Sequence, residues 1–163
     1  MGDVIIGIPS NGLHTNGYSL ARKLFTTESA ALNIYYSDLG RTLGEALMEP
    51  HRCYYMLIKP VLPLIKGMAH ITGGGLLENV PRVLPDGICA HFHTGSWEVL
   101  PIFKMIQNKG KVEDAEMYRV FNMGIGMVLF CNKINAKRIL KAIPDSVVIG
   151  ETEKSKDKQV IIN

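Results

Sequence analysis

Apolar and polar positions divide the chain into short strands and helices that alternate irregularly. Residues 3–9 are rich in β-branched side chains and stop at a proline, so we predict a strand there. Residues 87–93 alternate between apolar and polar, which predicts a second strand. Residues 124–131 are apolar throughout, which predicts a strand buried on both faces. Residues 52–58 are short and apolar, and we interpret them as a further strand.

Other segments carry apolar residues at helical spacing. We predict helices over residues 17–25, 42–48, 60–66, 97–108, 113–120 and 134–143. Another helix should follow the glycine cluster at 73–75, and Pro81 must end or kink it. The polar segment 26–41 is predicted to be a loop. The last two apolar runs, 146–154 and 158–163, are interpreted as a terminal hairpin.

The order of these elements predicts the fold class. Strands and helices intermix without the strict alternation of a doubly wound parallel sheet. We therefore predict an α+β fold, a mixed β-sheet with helices packed on it. A chain of 163 residues is most simply one domain, residues 1–163.

Composition narrows the classes of function. The net charge is only +3, and the basic residues are scattered apart from "KSKDK" near the end, so we expect no nucleic-acid partner. No apolar run approaches the roughly 20 residues of a membrane helix, and we expect neither a membrane span nor a signal peptide. The three cysteines include no C-x-x-C pair, which argues against a disulfide framework and a zinc site and fits a reducing cytosol.

Two glycine-containing turns each lie between an apolar segment and a predicted helix. They are "SNGLHTNG" at 10–17 and "HITGGG" at 70–75. A helix N-terminus offers unpaired backbone N–H groups and the positive end of the helix dipole, and glycine lets a ligand approach the main chain. Each turn can therefore hold an anion. The alternative is that Thr15 or Asn16 merely caps the helix while the glycines form turns.

Neither turn matches a standard nucleotide-binding motif. Gly12 and Gly17 have the end spacing of a P-loop, but Tyr18 and Ser19 stand where the motif needs Lys and then Ser or Thr. The G-x-G at 124–126 precedes a predicted strand, whereas a dinucleotide-binding turn follows one. We reject both assignments.

The histidines are the titratable candidates. His14 lies in the first turn, and an ordinary pKa near 6.5 would suit proton transfer; the alternative is a local hydrogen bond. His70 precedes the second glycine cluster and is expected to have a structural or orienting role. His91 and His93 share a strand face, but no third ligand can be placed, so we assign no metal-binding residue.

Several long motifs occur in an order that resembles one enzyme family. They are "GLHTNGYSLARK", "EPHRCYY", "KPVLPLIK", "AHITGGGLLENVPRVLP", "SWEVLPIF" and "MYRVFNMGIGMVL". Together they resemble the C-terminal domain of phosphoribosylformylglycinamidine cyclo-ligase, also called aminoimidazole ribonucleotide synthetase. The resemblance runs from about Gly2 to Val160. The glutamine-dependent purine amidotransferase, thiamine-monophosphate kinase and selenophosphate synthetase are similar in architecture more than in these motifs.

The resemblance implies a reaction in purine biosynthesis. Formylglycinamidine ribonucleotide and ATP would give aminoimidazole ribonucleotide, ADP and phosphate, with magnesium accompanying the ATP. The amide oxygen would be activated by phosphorylation, and a nitrogen would then close the imidazole ring. The family enzyme is a cytosolic homodimer whose active site lies between two domains. Its N-terminal domain, which carries most contacts to ATP and magnesium, is absent from this sequence, so we expect the chain alone to be inactive.

The resemblance also implies which residues face that groove. The expected substrate-binding residues are Ser10, Asn11, Gly12, Thr15, Asn16, Thr72, Gly73, Gly74 and Gly75. They would hold the ribonucleotide and its phosphate, with help to the ATP phosphates. His14 is the candidate catalytic residue, for proton handling or phosphate stabilisation. The competing hypotheses are a non-catalytic module that binds a nucleotide phosphate within a complex, and another member of the same ATP-using superfamily.

Overall fold

The computed structural model describes residues 2–25, 28–156 and 159–163. The strands are β1 Val4–Pro9, β2 Tyr35–Tyr36, β3 Arg41–Thr42, β4 Ile65–His70, β5 Ile88–Phe92, β6 Ile125–Cys131, β7 Val147–Lys154 and β8 Val160–Ile162. The helices are α1 Tyr18–Leu24, α2 Ser29–Leu32, α3 Leu43–Leu47, α4 Tyr55–Ile58, α5 Gly75–Asn79, α6 Pro101–Gly110, α7 Asp114–Val120 and α8 Lys133–Ala142, with 3-10 helices at Lys59–Leu64 and Val80–Val83.

Six strands form one sheet in the order β4-β6-β1-β7-β5-β8, and β2 and β3 form a separate antiparallel ribbon. All neighbours in the large sheet are antiparallel except β5 and β8, which are parallel. The α+β fold with a mixed sheet is therefore confirmed. No helix within the described ranges is long and apolar enough to cross a membrane.

The side-chain alternation of the central strands separates two cores. On β1, Ile6 and Ile8 pack on one face against α4, α8 and the first 3-10 helix, whereas Ile5 packs on the other. On β6 the same alternation places Leu129 with the first set and Val128 with the second. Every residue of β6 is buried, as the apolar run predicted. A strand covered on both faces gains from apolar residues at every position.

A third core lies among the helices. Leu13, Phe103, Met117 and Phe121 are among its largest fully buried side chains, and they join the first glycine turn to α6 and α7. Leu13 anchors the first glycine turn in this core. The helix at 42–48 is confirmed as α3, and Thr42 and Glu45 form a capping box at its start.

The predicted strand at 52–58 is wrong, because its second half is helix α4. Tyr54 and Ile58 are each 5% exposed, while Tyr55 and Met56 between them are 61% and 71% exposed. Burial four residues apart is the spacing of a helix face. The predicted helix at 60–66 is a 3-10 helix that ends at Leu64. Pro63 inside it lacks an N–H and so disfavours a continuous α-helix.

The predicted terminal hairpin is also wrong. Strands β7 and β8 do not pair with each other; both pair with β5, which lies between them. The parallel β5–β8 pairing makes β8 the edge strand of the sheet, and the half-buried Val160 and Ile162 side chains pack against the core on one face. Two strands close in sequence looked like a hairpin, but β5 supplies a longer antiparallel partner for β7.

Two boundaries also differ from the sequence prediction. Within 26–41, the described part forms α2 and strand β2 rather than a loop, and residues 26 and 27 lie outside the described ranges. The helix predicted from residue 97 begins at Pro101, a residue suited to the first helical position. Strand β4 was not predicted, because the helix predicted over 60–66 overlaps its start. The remaining long helices and strands agree with the prediction within a few residues.

Candidate functional site

The first glycine turn follows β1 and is held by one buried amide. Asn122 is fully buried, and its Oδ1 accepts the Ser10 hydroxyl at 2.7 Å and the Gly124 N–H at 2.9 Å. Its Nδ2 donates to the Gly12 carbonyl at 2.9 Å. The Ser10 hydroxyl therefore helps to hold the first turn.

A second buried amide holds the second turn, between β4 and α5. Asn79 Nδ2 donates to the carbonyls of Gly75 at 2.8 Å and Gly73 at 3.1 Å. Its Oδ1 accepts the Thr72 hydroxyl at 3.1 Å. Gly75 has φ +55°, and a side chain there would meet the Tyr118 carbonyl. The backbone shape of this turn is therefore tightly specified.

The two turns lie side by side. Strands β1 and β4 are both antiparallel to β6, which lies between them, so their C-terminal ends meet at the same edge of the sheet. A Cβ atom built on Gly73 would lie only 3.6 Å from Asn16 Oδ1. The sheet topology thus brings together two loops that are far apart in sequence.

His14 is buried in the first turn, with 3% of its surface exposed and φ +56°. Its Nε2 lies 2.9 Å from Asn11 Oδ1. Asn11 Nδ2 donates to the Pro50 carbonyl at 2.7 Å, which orients the amide so that Oδ1 accepts from His14 Nε2–H. His14 Nδ1 then carries a lone pair, is buried, and has no hydrogen-bond partner.

Burial, followed by the neighbouring His51, His70 and Arg52, lowers the pKa of His14 from 6.5 to about 4. Its imidazole is therefore neutral at pH 7. Burial and His51 also lower the pKa of His70. The His14 ring stacks on the His51 ring with centroids 3.9 Å apart, and His51 Nε2 lies 3.2 Å from His70 Nε2.

Asn16 supplies a second unpartnered polar atom. Its Nδ2 is buried and has no hydrogen-bond partner, as with His14 Nδ1 in the same turn. Buried polar groups in native proteins are usually paired, so these two atoms are available to bind a ligand. Asn16 lies where the two turns meet, and His14 precedes it by two residues in the first turn.

An open pocket of about 570 Å³ borders the histidines. His51 and His70 line it together with Tyr54, Met68 and Met127. Tyr54 Oη donates to the Pro9 carbonyl at 3.0 Å, which joins the pocket wall to the end of β1. The pocket is large enough to admit a small ligand.

A protein-family model described as "AIR synthase related protein, C-terminal domain" matches residues 1–163. The chain belongs to this family. The resemblance seen in the sequence motifs is thereby confirmed.

Two curated relatives carry the same enzyme name. The chain is 49% identical over 154 residues to the phosphoribosylformylglycinamidine cyclo-ligase of Caldanaerobacter subterraneus subsp. tengcongensis, covering 93% of this chain and 45% of the relative. It is 55% identical over 133 residues to the enzyme of that name from Desulfitobacterium hafniense, covering 78% of this chain and 38% of the relative. The chain thus spans less than half the length of these two relatives.

Solved structures share the fold at low sequence identity. E. coli HypE, a hydrogenase maturation protein, matches with TM-score 0.64 and 17% identity, covering 98% of this chain and 46% of that one. T. maritima PurL complexed with FGAR matches with TM-score 0.53 and 18% identity, covering 99% of this chain and 26% of that one. These matches show that the two solved proteins contain a domain with the same fold as this chain.

The structure separates the predicted site residues by accessibility. Thr15 and Gly73 are exposed. Partly buried are Asn11, Asn16, Thr72 and Gly74, and buried are Ser10, Gly12, His14 and Gly75. Asn16 and Gly73 are therefore accessible where the two turns meet, whereas the buried residues support the backbone of the turns.

The described residues offer no preformed cluster of carboxylates for a magnesium ion. Magnesium prefers oxygen ligands in octahedral geometry. The only group of three or more potential ligand side chains among the described residues is His14, His51 and His70, which offers nitrogen alone. His91 and His93 lie on the far side of β7 from β1, and His91 contacts Glu153 and Asn163 instead of the site.

Sequence reasoning missed Asn79, Asn122 and His51. A buried asparagine carries no apolar periodicity, although Asn122 stands just before an apolar strand, where a polar residue at a strand end was a usable signal. His51 lies in a loop, and only the fold brings it to His14 and His70.

The low pKa of His14 predicts a pH-dependent stability. Its folded value of about 4 lies below the ordinary 6.5, so the unfolded chain binds more protons between these values. Stability should be complete above pH 6.5 and fall by on the order of 2–3 kcal/mol as the pH drops to about 4. Urea denaturation at pH 7 and pH 4.5 measures the change.

The variant His14→Asn should flatten this pH dependence, whereas His93→Asn, at an exposed position outside the cluster, should keep it. His70 contributes in the same direction, so a smaller slope should persist in the His14 variant. An unchanged slope in His14→Asn would contradict the assignment of the linked group.

Proposed function

We propose that this chain is the C-terminal, substrate-binding part of an ATP-dependent cyclo-ligase that converts formylglycinamidine ribonucleotide to aminoimidazole ribonucleotide. The observation that carries the proposal is the meeting of the two glycine turns at Asn16 and Gly73, with unpartnered Asn16 Nδ2 there and unpartnered His14 Nδ1 in the same first turn. The name shared by relatives that are 49% and 55% identical supports this reaction over others of the superfamily.

Asn16 and the second turn are proposed to bind the ribonucleotide phosphate. Asn16 Nδ2 is a buried donor that needs an acceptor, and exposed Gly73 lets a phosphate approach the main chain. Thr15 adds an exposed hydroxyl next to Asn16 in the first turn. Ser10, Asn11, Gly12, Thr72, Gly74 and Gly75 complete the proposed site by shaping the turns.

His14 is proposed to handle a proton. Since its imidazole is neutral at pH 7, it adds no positive charge for a phosphate, and its unpartnered Nδ1 is suited to accept. When the nitrogen attacks the activated carbon and closes the ring, that nitrogen loses a proton. Nδ1 of His14 is the proposed acceptor, with Asn11 orienting the ring through Nε2–H.

ATP supplies the phosphoryl group that activates the amide oxygen. We propose that ATP and magnesium bind mainly to an N-terminal domain, since this chain offers no oxygen-rich metal site among its described residues. Residues 1–163 would then be one domain of a two-domain enzyme that acts as a homodimer in the cytoplasm. The chain by itself should bind the ribonucleotide and catalyse no turnover.

The test compares this chain with a full-length protein that contains it. We expect the full-length protein to close the ring with ATP, and His14→Asn in that protein to lower kcat about 100-fold or more. Asn16→Ala should mainly raise KM, because it removes a binding contact present before and during the reaction. Lys141→Ala, at an exposed position on α8, is the matched control and should change neither.

Isothermal titration of the chain alone separates the leading hypothesis from a non-catalytic module. Binding of the formylglycinamidine ribonucleotide, weakened by Asn16→Ala, supports the proposal. Binding of neither the ribonucleotide nor ATP, together with no ring closure by the full-length protein, would refute it.

A further inference from the structure

We propose that His14, His51 and His70 form a binding site for one divalent transition-metal ion of the zinc class. One ring nitrogen from each residue lies within 4.8 Å of the others. The residues come from the turn after β1, the loop before α4 and the end of β4. The fold therefore assembles the cluster from segments that are separate in sequence.

The unpartnered nitrogen of His14 is the observation that points to a ligand. His14 is 3% exposed, and its Nδ1 has no hydrogen-bond partner. Metal-binding histidines commonly donate their other ring N–H to a carbonyl or carboxylate oxygen, which fixes the tautomer. Asn11 Oδ1 accepts from His14 Nε2–H in this way and leaves the Nδ1 lone pair available.

The spacing of the two exposed histidines also suits a metal. Zinc–nitrogen distances of about 2.0–2.1 Å in a tetrahedral site place two ligand nitrogens about 3.3–3.4 Å apart. His51 Nε2 and His70 Nε2 are 3.2 Å apart. The His14 and His51 rings are stacked, so His51 must tilt for its lone pair to reach the same ion as His14 Nδ1. Its exposed side chain can do so without disturbing a core.

The chemistry of the ligands selects the ion. Neutral imidazole suits zinc, cobalt, nickel and copper, whereas magnesium requires oxygen. Three protein ligands leave a fourth position for water or for a ligand atom. Because His51 and His70 line the open pocket, that position is accessible from solvent. The proposal changes the expectation from the sequence that the chain binds no metal.

The test is titration of the chain with ZnCl₂ alone at pH 7, without nucleotide. We expect binding of one equivalent of Zn²⁺, a Co²⁺ derivative with the strong visible absorption of a four-coordinate site, and no response to Mg²⁺. His51→Ala and His70→Ala each remove an exposed ligand and should weaken Zn²⁺ binding by at least about 100-fold; Asn11→Ala should weaken it about 10- to 100-fold.

Two control variants address the other candidate ligands. His93→Ala removes an exposed histidine outside the cluster, and Cys53→Ser removes an exposed thiol that lines the same pocket. Both should bind Zn²⁺ as the parent chain does. Circular dichroism of each variant establishes that it is folded.

Binding weaker than that of a general surface histidine, or binding unchanged in both His51→Ala and His70→Ala, would overturn the site. A sulfur-to-cobalt charge-transfer band that disappears in Cys53→Ser would overturn the all-histidine ligand set. Because no substrate is present, the result is independent of the proposed ring-closing reaction. A Zn²⁺ ion and a proton cannot occupy the His14 Nδ1 lone pair together, so the proton transfer proposed above belongs to the metal-free protein.

Discussion

Replacing Gly75 with alanine is expected to destabilise the fold by about 3 kcal/mol or more. The new Cβ atom would clash with the backbone carbonyl oxygens of Tyr118 and Phe121, and it would lie 2.8 Å from the oxygen of Phe121. Residue 75 also has φ +55°, a backbone conformation that residues with a side chain rarely adopt. Backbone atoms of α7 and the residue after it cannot move aside as a flexible side chain does. Thermal unfolding should show the loss as a decrease in Tm of about 6 °C or more.

Gly73→Ala in the same turn is the matched control. Its Cβ would find only Asn16 Oδ1, at the ordinary contact distance of 3.6 Å. We expect stability to change by less than about 0.5 kcal/mol, as for most surface substitutions. Equal Tm values for the two variants would contradict the packing of α5 against α7. The added methyl group would still narrow the junction of the turns, so reduced ribonucleotide affinity is expected from a folded protein.

Asn122→Ala is expected to cost about 2–4 kcal/mol, because it leaves several buried polar groups unsatisfied. Ser10 loses its acceptor, Gly12 loses its donor, and the Gly124 N–H loses its acceptor. These groups hold the first glycine turn, so ribonucleotide binding should weaken along with stability. Urea unfolding and ribonucleotide titration of the variant measure the two effects.

Asn33→Ala provides the comparison for Asn122→Ala. Asn33 is exposed, and its side chain makes a single long contact of 3.4 Å with Ser29. Its loss should change the free energy of unfolding by less than about 0.5 kcal/mol. If Asn122→Ala proves equally mild, water must replace the lost amide, and the turn does not depend on that side chain.

Much of the fold could be predicted from local patterns. Strands β1 and β6 were recognisable because their apolar residues are continuous, and Pro81 correctly marked the end of α5. The errors arose where a short apolar run fits both the two-residue period of a strand and the 3.6-residue period of a helix. At 52–58, only the burial of Tyr54 and Ile58 distinguishes a helix from a strand.

Strand partners could not be predicted in the same way. Pairing of β7 with β5 depends on contacts between residues distant in sequence, such as His91 with Glu151, and no local signal specifies them. The terminal hairpin was predicted because closeness in sequence was the only available guide.

The candidate site was predictable in part. Glycine patterns located both turns, and the sheet order explains why they meet. The sequence did not indicate that Asn79 and Asn122 hold the turns or that His51 joins His14. These relations depend on side chains from different segments packing at one place.

The central place of β1 in the sheet has a consequence for synthesis on the ribosome. Both strands beside it come late in the chain, since Val4 pairs with Cys131 on one side and Glu151 on the other. At about 5–20 residues per second, this apolar segment waits on the order of ten seconds or more for its neighbours to be translated. During that interval a nascent chain exposes an unpaired, aggregation-prone edge, so folding in the cell should depend on protection by a chaperone or by preceding sequence.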